Sequence, residues 1–288
     1  MNKKNEFSLN INGMTMAGVA YGNDRDLPVL ALHGWLDNAA SFELLASKLT
    51  TRKVIAVDFI GHGKSSHRPV NSPYYIWDNV TDIYLAMQCL GLTKVDIIGH
   101  SMGASVAMLF AACFPQHVGK LFLIEGLAPL DYPASELPQL MAKSIRQHVK
   151  SRVKTNKGYA NLQAMVDARA NGRFPVSSEA AKLLVERGSK VLCDEFYWSS
   201  DSALLLPSIN RMSKVQVDAF LQSVEAKVYV YLANEGIDTG KWQEYFKQIK
   251  QVEISTFDGN HHLHMQELGA VSIANAVNTL FSTQTSLV

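Results

Sequence analysis

Val95-Asp96-Ile97-Ile98-Gly99-His100-Ser101-Met102-Gly103-Ala104 is the stretch on which the reading of this chain turns. An apolar, strand-forming run breaks at a Gly-x-Ser-x-Gly pentapeptide and continues into small residues that suit a helix. A sharp strand-to-helix turn of this sort holds its serine in strained backbone geometry, with the hydroxyl exposed at the sheet edge. Glycines flank it because a Cβ there would clash. The helix that follows aims free N–H groups and the positive end of its dipole at the hydroxyl. Ser101 is therefore the candidate nucleophile. A pentapeptide recurs by chance, so its flanks carry the reading.

Those flanks repeat one rhythm. Upstream, residues 27–35 and 53–58 are continuous apolar runs that read as strands buried on both faces, each running into a glycine turn, His33-Gly34 and Gly61-His62-Gly63. Ile76, Val80, Ile83, Tyr84, Met87 and Leu90 recur at helical spacing and predict an amphipathic helix feeding the strand before Ser101. Downstream, residues 120–126 give another buried strand with Glu125 at its end. This alternation predicts a mostly parallel sheet covered by helices on both faces. Residues 7–11 and 16–21, around the turn Asn12-Gly13, predict an antiparallel hairpin at the start.

From 127 to 224 the pattern changes to helical segments near 137–155, 158–171, 178–188 and 213–223 with no convincing strand. We expect an inserted helical cap there, on a core made of residues 1–126 and 225–288. Strand signals return at 226–232 and 252–257, with a helix near 240–249 between them and a closing helix over 266–281.

Composition narrows the function. With 288 residues and 47% hydrophobic content the chain can bury a large core. Lysine plus arginine (27) nearly balances aspartate plus glutamate (26), and no like-charge run stands out. An electrostatic grip on nucleic acid or an anionic membrane is therefore not expected, and binding should depend on a pocket for a small molecule. The first residues form no apolar signal core, and no apolar segment is long enough to span a bilayer, so the expectation is a soluble protein. Cys89, Cys113 and Cys193 lie far apart in no metal-ligand spacing, which suits reduced thiols in a cytoplasmic setting. No ligand cluster or phosphate-cradling loop points to a metal or cofactor. The oligomeric state is not readable.

A serine hydroxyl becomes a useful nucleophile only when a base takes its proton and an acid orients that base. Nine histidines compete for the first role. His261 follows the last predicted strand, and Gly259-Asn260 before it permits a tight turn that would aim the ring back at the sheet edge. His262 and His264 are close in sequence but read as cap or helix-end contacts. His33, His62 and His100 adjoin glycine turns and read as structural or pocket-lining residues.

Residues 30–38, 58–66 and 259–265, together with the serine turn, resemble the α/β-hydrolase fold family, and within it the serine hydrolase-like protein group. The resemblance spans nearly the whole chain. It implies a mostly parallel sheet of about eight strands flanked by helices, with a helical lid. It also places the base at His261 and the oxyanion donors at the backbone N–H groups of Trp35 and Met102. Asp58 is implied as a structural residue that steadies the loop 61–65. The acid departs from the commonest pattern, because the expected aspartate position holds Gly236. Two substitutes stay open, with Glu235 a third: Glu125, at the strand end from which related haloalkane dehalogenases supply their acid, and Asp238, two residues beyond the usual place. His33, His100 and Trp198 are expected at the substrate pocket, roofed by cap aromatics. The expected activity is hydrolysis of a small, largely apolar carboxylic ester through an acyl-enzyme. The alternatives are carbon–carbon bond hydrolysis of a diketone and a non-catalytic, ligand-binding member of the fold. Epoxide and haloalkane hydrolysis are not expected, since those relatives carry aspartate in place of Ser101.

Overall fold

A computed structural model describes residues 3–24, 26–70, 72–151, 158–237 and 240–282. The first half runs β1 (Lys4–Ile11), β2 (Met14–Tyr21), β3 (Leu27–Leu32), α1 (Glu43–Lys48), β4 (Arg52–Val57), α2 (Ile76–Cys89), β5 (Val95–His100), α3 (Met102–Cys113) and β6 (Val118–Ile124). A long excursion follows: β7 (Asp131–Tyr132), α4 (Leu137–Ser151), α5 (Leu162–Ala170), α6 (Ser178–Gly188), β8 (Ser189–Leu192), β9 (Glu195–Trp198), β10 (Met212–Ser213) and α7 (Lys214–Ser223). The chain then returns through β11 (Lys227–Glu235), α8 (Trp242–Phe246), β12 (Val252–Asn260) and α9 (Glu267–Ser282).

The main sheet has eight strands in the order β1-β2-β4-β3-β5-β6-β11-β12. Only the β1–β2 and β2–β4 pairs are antiparallel; the remaining pairs are parallel. Parallel neighbours need a crossover, and helices supply it on both faces, which is why the central strands read as unbroken apolar runs. Along β6 the side chains alternate: Leu121 and Leu123 pack with Ile83 of α2 and Phe110 of α3, while Phe122 and Ile124 pack with Leu45 of α1 and Ile273 of α9. β5 lies between β3 and β6, so Ser101 emerges near the middle of the sheet's C-terminal edge.

The excursion between β6 and β11, called the cap below, lies outside this sheet and holds strands as well as helices. It holds two small sheets, a two-residue parallel pairing of β7 with β10 and an antiparallel hairpin of β8 with β9. The hairpin turns on Cys193 and Asp194, both with positive φ (49° and 63°). A two-residue turn of this hand normally advertises itself by Asn-Gly or Asp-Gly, and Cys-Asp lacks that signature. That is why the sequence reading found no strand there.

Candidate active site

Ser101 sits between β5 and α3 at φ 51°, ψ −113°, a region few non-glycine residues enter. Its amide donates to the Ile124 carbonyl at 2.9 Å, pinning the turn to β6. The glycines around it are required by space: a Cβ on Gly103 would lie 2.0 Å from the Leu32 carbonyl oxygen, and one on Gly99 would lie 2.7 Å from Ala104 Cα. Gly126 makes the same demand from the next strand, where a Cβ would fall 2.4 Å from the Ser101 carbonyl.

His261 follows the last residue of β12, and the Asn260 side chain steadies the turn by accepting the His262 N–H at 2.9 Å. Its Nδ1 lies 3.2 Å from Oε2 of Glu125, and both side chains are buried. Glu125 directly follows β6 at φ 49°, and its own N–H donates to the Tyr231 carbonyl at 3.0 Å. Its carboxylate also accepts N–H bonds from Ala233 at 2.7 Å and Ile237 at 2.9 Å. Gly236 explains how the carboxylate fits: a Cβ there would stand 2.3 Å from Glu125 Oε1. The space an aspartate would fill from one strand is filled from the neighbouring strand. Of the other two candidates for the acid, Asp238 lies outside the described residues and Glu235 is exposed at the end of β11.

Ser101 and His261 line one cavity of about 480 Å³, whose walls include Trp35, Tyr159, Phe174, Tyr197, Trp198 and Leu205. Trp35 follows the β3 turn beside Leu36 at φ 62°, and its indole donates to the Leu204 carbonyl of the cap at 3.1 Å. The Trp35 amide N–H has no acceptor among the described residues. Met102 opens α3, where first-turn amides have no partner within the helix. Trp35 thus lines the same cavity as Ser101, and Met102 follows that serine at the helix start.

Of His33, His100 and Trp198, all expected at the pocket, His33 lies elsewhere. His100 and Trp198 line the cavity and His33 does not. His33 Nδ1–H donates to the Gly34 carbonyl at 2.7 Å while Nε2 accepts the Phe59 N–H at 3.1 Å, so the ring is locked as one neutral tautomer behind the loop. A histidine beside a glycine turn gives no sign of which side of the loop its ring will take. His100 donates Nε2–H to the His261 carbonyl at 2.9 Å, and burial, then the rings of His264, His262 and His261, hold it well below the usual histidine range.

Asp37 and Arg169, which no sequence motif singles out, meet beside the cavity. Asp37, buried after β3, accepts from Arg169 Nη2 of α5 at 2.9 Å and faces His262 Nε2 at 3.1 Å. Burial alone would raise its carboxyl, but His262, Arg169 and His100 hold it well below the usual range. Asp37 lies within the matched segment 30–38, yet nothing in the spacing announces a partner 132 residues away. Asp37, His100 and His262 bring potential ligand atoms within 4.8 Å of one another, the reach of a metal site. The Arg169 guanidinium already stands at that point, 3.0 Å from His262 Nε2.

A second arginine clasps the cap to the core. Arg187 of α6 directs Nε to both oxygens of fully buried Asp58 at 3.0 Å and Nη1 to Glu6 at 2.7 Å. Asp58 also accepts amides from Ala39 at 2.7 Å and Lys64 at 2.9 Å, the loop-steadying role expected of it. Arg187→Ala strands that carboxylate without its counter-charge and is expected to cost about 3–5 kcal/mol. Urea unfolding at neutral pH measures it, and Arg187→Lys should lose less.

Buried histidines add a pH dependence. Burial first of all pushes His33 down to about 4 and His62 and His264 to about 3. In the unfolded chain they titrate near 6.5, so the unfolded state binds more protons between these values and acid favours it. Their contribution to stability is complete above 6.5 and is lost as pH falls through the folded values, roughly 3 kcal/mol for His33 alone. Urea midpoints taken stepwise down from neutral pH should therefore fall steadily below about 6.5.

The chain belongs to the alpha/beta hydrolase fold family, whose model matches residues 28–268, and it is a hydrolase of that fold. Within the family it stands close to the serine hydrolase-like group. It is 30% identical over 278 residues to serine hydrolase-like protein 2 of Homo sapiens, covering 88% of this chain and 86% of that one. To the serine hydrolase-like protein of Danio rerio it is 28% identical over 284 residues, covering 93% and 86%. Among solved structures, the hypothetical protein PA1622 from Pseudomonas aeruginosa PAO1 superposes with a TM-score of 0.91 at 34% identity, over 96% of this chain and 99% of that one.

Proposed function

We propose that this chain hydrolyses small, largely apolar carboxylic esters through an acyl-enzyme on Ser101. The observation that carries the reading is the Glu125 carboxylate 3.2 Å from His261 Nδ1, in a pair whose histidine shares a cavity with Ser101. Glu125 holds the Nδ1–H tautomer, which leaves the Nε2 lone pair free to act as a base. His261 takes the hydroxyl proton as Ser101 Oγ bonds to the ester carbon. The oxyanion that forms meets the N–H groups of Trp35 and Met102, each worth roughly 3 kcal/mol of barrier. Collapse breaks the C–O bond to the alcohol, which leaves with the proton from His261. A water then gives its proton to His261 and attacks the acyl group, releasing the acid and restoring the serine. Aromatic walls exclude competing solvent and suit an apolar acyl group.

A fluorophosphonate probe, which reacts only with an activated serine, tests the reading together with a panel of p-nitrophenyl esters and vinylogous diketones. The expected result is one adduct, on Ser101 by peptide mass, with turnover of the shorter esters. Absence of both adduct and turnover would leave a ligand-binding member of the fold, and preference for diketones would move the reaction to carbon–carbon cleavage.

A further inference from the structure

The chain-wide balance of charge conceals a segment of one sign. No acidic residue occurs between Glu136 and Asp167, whereas α4 carries Lys143, Arg146 and Lys150, and the sequence continues in that sign through Arg152, Lys154 and Lys157. α4 is also the cap helix that buries least. Ser144 is its one buried residue among those described, while Met141, Ile145 and Val149 are 41%, 44% and 61% exposed. Spaced four apart, these three form one apolar stripe along the helix, and the basic residues fall in the neighbouring sector. Apolar side chains in water beside flexible cations are the reverse of what a solvated helix face needs. They are the composition of a helix lying in the plane of a membrane surface, where the stripe enters the acyl boundary and the long cationic side chains reach back to the phosphates.

The stripe is also tied to the cavity. His148, on the same helix, bonds through Nε2 to the Pro207 carbonyl at 3.0 Å, which joins α4 to the segment bearing Leu205. Leu205 is 61% exposed and lines the cavity that holds Ser101. With a net charge of only +1, any attraction to a surface has to be local.

We propose that α4 docks this protein reversibly on anionic lipid bilayers. The occupant of its apolar stripe is the headgroup–acyl boundary, and the cavity mouth is held at that surface. No helix of the described residues is long and apolar enough to cross a membrane, so attachment is peripheral. The proposal is independent of the reaction assigned to the site.

Co-sedimentation of the full chain with vesicles tests it, comparing pure phosphatidylcholine with equimolar phosphatidylcholine and phosphatidylglycerol. Binding to the anionic vesicles should exceed that to the neutral ones by about 100-fold, on the scale of one basic residue per tenfold or less, and fall with added salt. The triple variant Lys143→Glu, Arg146→Glu, Lys150→Glu should lose this preference, and Ile145→Ser with Val149→Ser should lose binding to both. Both variants should keep wild-type turnover of a soluble short-chain ester, or wild-type circular dichroism should the protein turn over no ester. Ile145→Trp provides a reading that needs no loss of function: its emission should shift to the blue on adding anionic vesicles. No sedimentation of the wild type, an unchanged charge-reversed variant, or a tryptophan that stays in water each overturns the proposal. So does a lipid-free dimer, seen by light scattering and dissolved by Ile145→Ser, because the stripe would then be covered by a second copy.

Discussion

Ser101→Ala should lower ester turnover by about a millionfold, the loss seen when a serine hydrolase is stripped of its nucleophile. The fold should survive the change. The hydroxyl accepts and donates no bond that holds the turn, which rests on the Ser101 amide and the Ile124 carbonyl, and alanine keeps both the amide and the Cβ at φ 51°. The matching pair of measurements is therefore initial rate with a p-nitrophenyl ester and the urea midpoint. A variant that remained folded and lost only a few-fold in rate would show that another group attacks, and the proposed chemistry would fall with it.

Glu125→Gln is the second large effect, expected to lower kcat by about ten-thousandfold with little change in KM. The glutamine fits the same space and one amide oxygen still accepts from the backbone. Its NH2, however, must face either the Ala233 N–H or, together, the Ile237 N–H and His261 Nδ1, and in either place a donor meets a donor. In both orientations the imidazolium loses its carboxylate partner, and in the second the imidazole also loses the tautomer that leaves Nε2 basic. Gly236→Asp alone should inactivate through collision, because its Cβ would lie 2.3 Å from the Glu125 carboxylate. Combined with Glu125→Gly, which empties that volume, the aspartate should restore part of the rate. Recovery by moving the acid from one strand to the next is a result that a merely structural role for Glu125 does not give.

The sheet and the serine turn were legible because their causes are local. Buried parallel strands must be apolar along their whole length, and a strained turn needs glycines at fixed offsets, so both leave marks within ten residues. The blank at Gly236 was legible too, but not what fills it. Glu125 lies 108 residues from Ala233 and 136 from His261, and only the pairing of β6 with β11 brings them together. The clasps Arg169–Asp37 and Arg187–Asp58 belong to the same kind: each is a contact across the cap boundary between residues that look ordinary in their own surroundings. His33 shows the limit from the other side, since its neighbourhood in sequence resembles that of His100 while its ring faces away from the cavity. The helix α4 was legible in the sequence, and the exposure of its apolar stripe was not.

Both clasps cross from the sheet to the roof above it, and each buries a carboxylate against one guanidinium. Hoisting that roof as a unit would part both ion pairs at several kcal/mol apiece. Adjustment of the cavity then falls to single side chains on its wall, such as Trp35, Trp198 and Leu205, which move on far shorter timescales than a whole lobe can. Across a panel of p-nitrophenyl esters the expected result is a steeper fall in rate with branching of the acyl chain than with added length.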